Sequence, residues 1–316
     1  MDASVIIPTH NRRSWVLRAV NSLIGQNHPS GSYEIIVSCD RCTDGTEESL
    51  RSAFSDRVRI INSEIPGQAG ALNTGLKYAR GEMAVVLDDE MEAEQGLVAA
   101  HIQAHRTESA AKIAVTGYSA VIVDSEATPF TRMMARNYAT YFAELAQAER
   151  RKSSPNDLCG SNFSLRVSAF REVGGFNEKY FFQRNDFELA IRLLDLGYEI
   201  RFCREAAARQ HLAVTADTVI DRTAARAQND FRLACDYPWC VSYLPFYRVL
   251  TNPSARRRWR ILWETAGPAA EVFRIARKVL PQNLLLGNME YAARYCLSLR
   301  KEIGNWRDFL RLADIR

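Results

Sequence analysis

The sequence lacks any long uninterrupted apolar run. No stretch approaches the roughly 20 consecutive apolar residues that a membrane-spanning helix requires. The N-terminus, MDASVIIPTH, has neither the basic region nor the apolar core of a secretory leader. We therefore expect a cytoplasmic protein, either free or peripheral on the inner face of the membrane.

Cysteine is sparse and has no obvious pairing. The seven cysteines are odd in number and scattered along 316 residues, which indicates free thiols rather than a disulfide framework. Cys39 and Cys42 form one C-x-x-C, but no second pair stands at zinc-finger spacing. A loop with two small residues explains this pair better than a metal or redox site does.

A strong charge of one sign is missing from most of the chain, whose formal net charge is +4. From Thr251 to the end, 13 Lys and Arg face 6 Asp and Glu. The segment ARRRWRILW, residues 255–263, is a candidate for peripheral contact with an anionic membrane. A solvated helix packed on the rest of the chain is the alternative, and nucleic acid is disfavoured because no recognised binding module accompanies the charge.

Short β-branched runs alternate with helix-like segments over the first hundred residues. The runs are SVII (4–7), EIIVS (34–38), VRII (58–61) and AVVL (84–87). Runs of this kind pack as buried parallel strands, and helices between them are typical of a doubly wound α/β sheet. Ligands of such sheets bind beyond the carboxyl ends of the strands.

Polar residues follow three of these predicted strands. They are Pro8-Thr9-His10, Cys39-Asp40 and Asp88-Asp89-Glu90. If the strands are parallel neighbours, the three ends face one crevice. Adjacent carboxylates repel each other and are costly to desolvate without a cation or hydrogen-bond donors. The sequence therefore predicts a ligand site that includes a positive group.

Seven motifs stand in order along residues 3–215, followed by His211. They are SVIIPTHNR, CDRCTDGT, GQAGALNTGLKYARGE, VVLDDE, CGSNFSLR, VGGFNE and NDFELAIRLLDLGYEI. In this the chain resembles the family 2 glycosyltransferases. The resemblance implies the GT-A fold, a Rossmann-like α/β structure whose mixed, mostly parallel sheet is flanked by helices. Helix-like segments after it, residues 217–236 and others beyond Ala255, predict a helical C-terminal extension. The motifs and these segments divide the chain into a catalytic domain (1–215, nucleotide half about 1–110 and acceptor half about 111–215) and an extension (216–316).

The resemblance assigns nucleotide binding to the strand ends and the helix beside them. The residues are Pro8, Thr9, His10, Asp40, Asn73, Asp88 and Asp89. Asp40 matches an aspartate that reads the base, and His10 stands where an aromatic residue stacks on it. Cys39 and Arg41 depart from the family pattern, so the base stays open: UDP is favoured, with dTDP or GDP as alternatives. A capping role for His10, and simple packing for the helix of Asn73, are the structural alternatives.

The triplet Asp88-Asp89-Glu90 matches the family's D-x-D motif, whose last acid holds a divalent cation. The resemblance thus makes Glu90 and His211 the ligands of Mg²⁺ or Mn²⁺, which would stabilise the departing nucleoside diphosphate. Glu in place of Asp is a departure from the common pattern. The alternative is that the three acids only solvate the end of a strand.

Asp186 matches the family's general base, which takes the proton of the acceptor hydroxyl. It follows Asn185 where the family has a glutamate, and a helix N-cap is its structural alternative. The segment Gly160-Ser161-Asn162, together with Asn185, matches the lining of the donor sugar and acceptor. A turn before a strand is the alternative for this segment.

The predicted activity is a single, inverting transfer of a hexose-type sugar from a nucleoside-diphosphate sugar to an acceptor hydroxyl of unknown identity. One alternative is a sugar-1-phosphate nucleotidyltransferase, although PTHNRR lacks the glycine-rich signature expected near its N-terminus. The other is a degenerate transferase that binds a nucleotide sugar without turnover. The departures at Cys39, Glu90 and Asn185 favour that second alternative.

Overall fold

The computed structural model describes residues 1–26, 28, 32–107, 112–147, 151–180, 183–212, 214–280 and 283–312. Eight strands within these residues form one sheet. They are β1 (Ala3–Thr9), β2 (Tyr33–Cys39), β3 (Arg59–Asn62), β4 (Met83–Leu87), β5 (Met91–Ala93), β6 (Ile113–Val121), β7 (Asn162–Arg166) and β8 (Glu199–Gln210). Their order across the sheet is β3-β2-β1-β4-β7-β6-β8-β5.

Parallel pairs predominate in this sheet. β1 is parallel to β2 and β4, β2 is parallel to β3, and β6 is parallel to β8. β7 runs antiparallel to both β4 and β6, and β5 runs antiparallel to β8. The expected fold class, a mixed and mostly parallel sheet flanked by helices, is confirmed.

Within the described residues, seven α-helices accompany the strands. They are α1 (Arg13–Leu23), α2 (Thr46–Phe54), α3 (Gly67–Tyr78), α4 (Leu97–Thr107), α5 (Pro129–Leu145), α6 (Val167–Val173) and α7 (Asn185–Asp195). Six more follow the last strand: α8 (Ala216–Asp221), α9 (Thr223–Asp236), α10 (Tyr247–Thr251), α11 (Pro253–Val279), α12 (Leu284–Ile303) and α13 (Trp306–Arg311). The expected helical C-terminal region is therefore present.

β1 is buried along its whole length because helices cover both faces of the sheet. Val5 belongs to one apolar cluster with Leu23 of α1, whereas Ile6 belongs to a second cluster with Leu72 of α3. Successive side chains of a strand point to opposite faces, so a strand covered on both sides is apolar at consecutive positions. This explains why the run SVII does not alternate with polar residues.

The chain divides into two compact units, and each unit is made of two separate segments of the sequence. The first comprises residues 1–122 and 135–212, and the second comprises 123–134 and 213–316. The domain boundary predicted between 215 and 216 stays a prediction. Among the limits of the predicted domains, residue 111 and the C-terminal residues 313–316 lie outside the described residues. Among the described residues, no helix combines the length and apolar character needed to cross a membrane.

Candidate active site

The ends of β1, β2 and β4 converge at one edge of the sheet because these strands are parallel neighbours. The Thr9 carbonyl accepts a hydrogen bond from the Asp40 N–H at 2.8 Å. The Thr9 hydroxyl donates to Asp89 Oδ2 at 2.7 Å. The three polar strand ends that the sequence singles out are thus brought into one site, in which Pro8 is buried within β1.

Arg12 supplies a positive group to the acidic triplet. It follows β1 and donates to Asp89 Oδ1 at 2.8 Å and to Glu90 Oε2 at 2.7 Å. Charge-assisted hydrogen bonds of this kind are stronger than neutral ones. Arg12 carries no predicted role, although one signal was available: it stands three residues beyond Thr9, after the strand neighbouring the acids.

Even with Arg12 in place, the triplet holds excess negative charge. Burial, together with repulsion from Glu90 and Asp89, raises the pKa of Asp88 well above its usual range. Burial also raises the pKa of Asp89 to about 6, although Arg12 and the Thr9 hydroxyl lower it. Asp186 adds to the repulsion on Asp88, so its carboxylate belongs to the same electrostatic environment.

Gln68 at the start of α3 connects Asp88 to α7. Its amide nitrogen donates to Asp88 Oδ1 at 2.8 Å, and its amide oxygen accepts from Asn185 Nδ2 at 3.2 Å. Asn185 is buried and directly precedes Asp186. Gln68 carries no predicted role either, because a glutamine in a glycine-rich helix start has no chemical signature of its own.

Asp186 is the second residue of α7 rather than its cap, since Arg184 occupies the capping position. Gln183 and Arg184 have φ angles of +64° and +68°, a conformation that residues other than glycine adopt at a cost. This turn presents Asp186 to the loop before β7. There the Gly160 N–H donates to Asp186 Oδ2 at 3.2 Å.

The Gly160-Ser161 segment holds two of the predicted acids in place. The Ser161 carbonyl accepts a hydrogen bond from the Asp88 N–H at 3.1 Å, while the neighbouring Gly160 binds Asp186. A Cβ atom on Gly160 would lie 2.7 Å from Asp186 Oδ2. Glycine at this position therefore permits the close approach of the carboxylate.

The two residues predicted to contact the base also lie side by side. His10 Nδ1 donates to the Asp40 carbonyl at 2.5 Å, and its side chain is 56% exposed, which leaves the ring open to a ligand. Asp40 is buried, and its Oδ2 accepts from the N–H of Gly67 at 2.9 Å. Its Oδ1 accepts from Arg41 Nε at 3.0 Å.

The side chains of the two predicted metal ligands, Glu90 and His211, form no hydrogen bond or ion pair with each other and bind different partners. Glu90 Oε1 accepts from Gln210 Nε2 at 2.6 Å, whereas His211 Nε2 lies 2.6 Å from Glu92 Oε2. His211 approaches Glu90 only through its backbone N–H, which donates to the Glu90 carbonyl at 3.0 Å. Within the described part of the chain, no group of three or more His, Cys, Asp or Glu residues is placed to hold a metal ion.

Asn73 and Asn162 are not brought into the site. Asn73 binds the backbone of Phe176 with both ends of its amide, at 2.8 and 2.9 Å. Asn162 is fully buried, and its amide bonds to the Ala206 carbonyl and to His101, each at 2.9 Å. Both amides are occupied by contacts that stabilise the fold. In this structure the Asn162 amide is therefore not available for the expected sugar contact, nor the Asn73 amide for the expected nucleotide contact.

The sequence profile described as "Glycosyl transferase family 2" matches residues 4–174, more than half of the chain. The chain belongs to glycosyl transferase family 2. A second profile, "Glycosyl transferase family group 2", matches residues 92–286. The probable glycosyltransferase YdaM of Bacillus subtilis (strain 168) is 28% identical over 208 residues, which are 63% of this family 2 chain and 48% of YdaM. The chain thus spans about half the length of that relative.

Solved glycosyltransferases share the fold of this family 2 chain. The mannosyltransferase PcManGT of Pyrobaculum calidifontis, solved with GDP-Man and Mn²⁺, superposes with a TM-score of 0.62 at 18% identity, over 95% of this chain and 86% of PcManGT. GalNAc-T7, solved with UDP, GalNAc and Mn²⁺, gives a TM-score of 0.53 at 17% identity, over 68% of this chain and 44% of GalNAc-T7. These likenesses confirm the GT-A fold.

Proposed function

We propose that this chain transfers a sugar from a nucleoside-diphosphate sugar to an acceptor hydroxyl, with inversion and by single addition. The observation that carries the proposal is the Gly160-Ser161 segment. It binds the Asp186 carboxylate at one residue and the backbone of Asp88 at the next. A base and a donor-binding acid fixed to one short segment are held at a constant spacing, which is what positioned attack requires.

Asp186 acts as the general base in this proposal. The acceptor hydroxyl loses its proton to the Asp186 carboxylate while its oxygen forms a bond to the anomeric carbon. The bond from that carbon to the diphosphate breaks on the opposite face, and the electron pair leaves with the nucleoside diphosphate. Asp40 and His10 contact the nucleobase of the donor. Thr9, Asp88 and Asp89 contact its ribose and diphosphate.

The chemistry of the acidic triplet suits a divalent cation such as Mg²⁺ or Mn²⁺, although its described side chains are not arranged as a ligand set. Carboxylate oxygens are the ligands that these hard ions prefer, and burial together with repulsion from the neighbouring acids raises the pKa of Asp88. Glu90 would hold the ion after release from Arg12, and His211 after release from Glu92. When bound, the ion supplies positive charge to the leaving diphosphate.

The base of the donor remains open between UDP, which the sequence favours, and dTDP or GDP. The two solved relatives hold different nucleotides, GDP-Man in PcManGT and UDP in GalNAc-T7, and both hold Mn²⁺. They support metal dependence without selecting a base. A cytoplasmic location, where such donors are made, stays part of the proposal.

A nucleotide screen tests the donor class. Thermal unfolding is measured with UDP, GDP, dTDP and CDP, with and without Mn²⁺, for the wild type and for Glu90→Ala. We expect one nucleotide to raise the melting temperature in a metal-dependent way, because a ligand of the native state stabilises it by mass action. The Glu90→Ala variant should lose that shift. No shift with any nucleotide would contradict the proposal.

Asp186→Asn separates an active transferase from a degenerate one. The variant keeps the shape of the side chain but cannot accept the proton, so hydrolysis or transfer of the donor sugar should fall by about 10²-fold or more. Nucleotide binding should stay within about twofold, because Asp186 makes no proposed nucleotide contact. Turnover that is absent in the wild type favours the degenerate protein, and pyrophosphate release from a nucleoside triphosphate and a sugar-1-phosphate favours the nucleotidyltransferase.

A further inference from the structure

Exposed apolar side chains are concentrated on α11, α12 and the residue that follows α11. Of 14 exposed large hydrophobic residues in the described chain, seven lie between residues 261 and 289. Six of them form what we call the apolar face: Val272, Ile275, Val279, Leu280, Leu285 and Met289. Val279 is 77% exposed and Leu285 is 67% exposed. Exposed apolar side chains grouped on two neighbouring helices in this way indicate an interaction site rather than ordinary surface scatter.

The spacing of these residues places them on one side of each helix. Val272, Ile275 and Val279 follow each other by three and four positions on α11, and Leu285 and Met289 are four apart on α12. Residues three and four apart are neighbours on a helix surface. Because α11 and α12 pack against each other, the two short stripes belong to one helical hairpin.

The tryptophans of the segment 255–263 point elsewhere. Trp263 is buried, with its ring 5.2 Å from that of Phe309, and Trp259 stacks on the same phenylalanine at 6.4 Å. Trp263 is thus held inside the second unit and Trp259 is half-buried against it, so the rings of this segment pack on the chain. Arg257, Arg258 and Arg260 of the same segment stay exposed.

The charge of the hairpin selects among partners for the apolar face. Residues 253–303 carry ten Arg and Lys against four Glu, a net charge of +6. A second copy of the chain would bring two such surfaces of the same sign together, which repel each other. An anionic lipid surface instead attracts the basic residues while it accepts the apolar ones.

We propose that the apolar face docks on the surface of an anionic lipid bilayer, with Arg257, Arg258, Arg260 and Lys278 contacting lipid phosphates. The hairpin lies in the interface and does not cross the membrane. Its apolar side chains enter the boundary between headgroups and acyl chains, which is the usual arrangement of amphipathic helices. This inference is independent of the proposed sugar transfer, because binding requires no turnover.

Vesicle co-sedimentation of the full chain tests the inference. The probes are vesicles of phosphatidylcholine alone and vesicles that also contain phosphatidylglycerol. We expect at least about tenfold tighter binding to the anionic vesicles, and loss of that preference in high salt. The triple variant Val272→Ser, Ile275→Ser, Val279→Ser should weaken binding by about tenfold or more.

Two controls keep the result interpretable. Leu196→Ser removes an exposed apolar residue of the first unit and should leave binding unchanged. The triple Arg257→Gln, Arg258→Gln, Arg260→Gln variant should reduce binding to anionic vesicles only, and circular dichroism checks that each variant is folded. Absence of vesicle binding, equal binding to both vesicle types, or binding that survives the serine substitutions would overturn the inference. A dimer in light scattering that the serine substitutions dissociate would also overturn it, and would assign the face to a second copy.

Discussion

Arg12 compensates the acids beside it and at the same time occupies a carboxylate that a cation would use. Its two nitrogens bind Asp89 and Glu90, and its side chain is only 35% exposed. The same guanidinium lies 5.3 Å from the ring centre of Trp15, which restricts its movement. In the proposed function, Arg12 and a divalent ion would therefore compete for Glu90.

Replacing Arg12 by Gln should separate these two effects. We expect Mn²⁺ alone, without nucleotide, to bind about tenfold more tightly, because the competing charge is gone and the negative field increases. The free energy of unfolding should fall by about 1–3 kcal/mol, since buried Asp89 loses its charged partner. Calorimetric titration with Mn²⁺ and urea unfolding measure the two quantities. Arg12→Lys, which keeps the charge, is the control, and weaker Mn²⁺ binding in Arg12→Gln would rule out competition.

Gly160 shows how one missing Cβ atom allows the carboxylate of the proposed base, Asp186, to come close. Gly160→Ala would place a methyl group 2.7 Å from Asp186 Oδ2 and displace the carboxylate. We expect turnover to fall by about tenfold or more, with nucleotide affinity within about twofold, because only the base moves. Gly25→Ala is the matched control, since a Cβ there meets no atom within 4 Å. Equal effects of the two substitutions on turnover would contradict this positioning role.

The sequence correctly predicted that the ends of the parallel strands lie together. It did not predict which side chains form hydrogen bonds there. Asp40 and Asp88 follow β-branched runs, and parallel pairing necessarily places such ends at one edge. The contacts of Gln68 with Asp88 and of Asn162 with His101 join residues 20 and 61 positions apart. Which of several amides meets which acid depends on packing that no local pattern encodes.

At the scale of elements, α4 carries two buried histidines against β7. His101 donates from Nε2 to Asn162 and accepts the Ser164 hydroxyl at Nδ1, and His105 Nε2 donates to that same hydroxyl. His105 Nδ1 is buried without a hydrogen-bond partner among the described residues. This arrangement suits two neutral rings, and burial lowers the pKa of each to about 4.

Acid should therefore destabilise this region. Between pH 6.5 and pH 4 the unfolded histidines take up protons that the native ones refuse, so stability is present above this window and is lost as the pH falls. We expect a loss of about 2 kcal/mol per histidine between pH 7 and pH 5. The raised pKa of Asp89 acts in the opposite direction over the same window. Subtracting the urea-unfolding profile of a variant from that of the wild type removes the contribution of Asp89.

The variant for this measurement is His105→Gln. Its free energy of unfolding should depend on pH less steeply than that of the wild type, by about the contribution of one histidine. Gln103→Ala, at an exposed position of the same helix, is the control, because it removes no titratable group. A slope in His105→Gln that equals that of the wild type would exclude the buried pair as its source.

Elements were predictable where their pattern is long and local. β1, β2 and β4 follow from their apolar runs, and α7 follows from the periodicity of NDFELAIRLLD. β5 has only three residues, and β8 pairs with β6 through a register shift between Gly117 and Tyr118. Such short or irregular pairings are determined by neighbouring strands, so the sequence alone does not mark them.

At the scale of the whole molecule, each of the two compact units is made of two separate stretches of the sequence. Residues 123–134 belong with the C-terminal helices, although the motifs on both sides of them belong to the sheet. Within that second unit Phe130 is buried against Gly287, where a Cβ atom would lie 2.4 Å from the Phe130 ring. A contact between distant segments has no local signature, so motif order could not reveal it.

Because the second unit is discontinuous in sequence, its first segment is synthesised long before the segment it packs against. Phe130 is made 157 residues before Gly287, the residue against which it is buried. At typical elongation rates that interval lasts roughly ten to thirty seconds. During this period the aromatic ring of Phe130 has no Gly287 to pack against, and the sheet of the first unit is still being synthesised. We therefore expect chaperones to bind the nascent chain mainly after residue 130 has emerged and before α12 has.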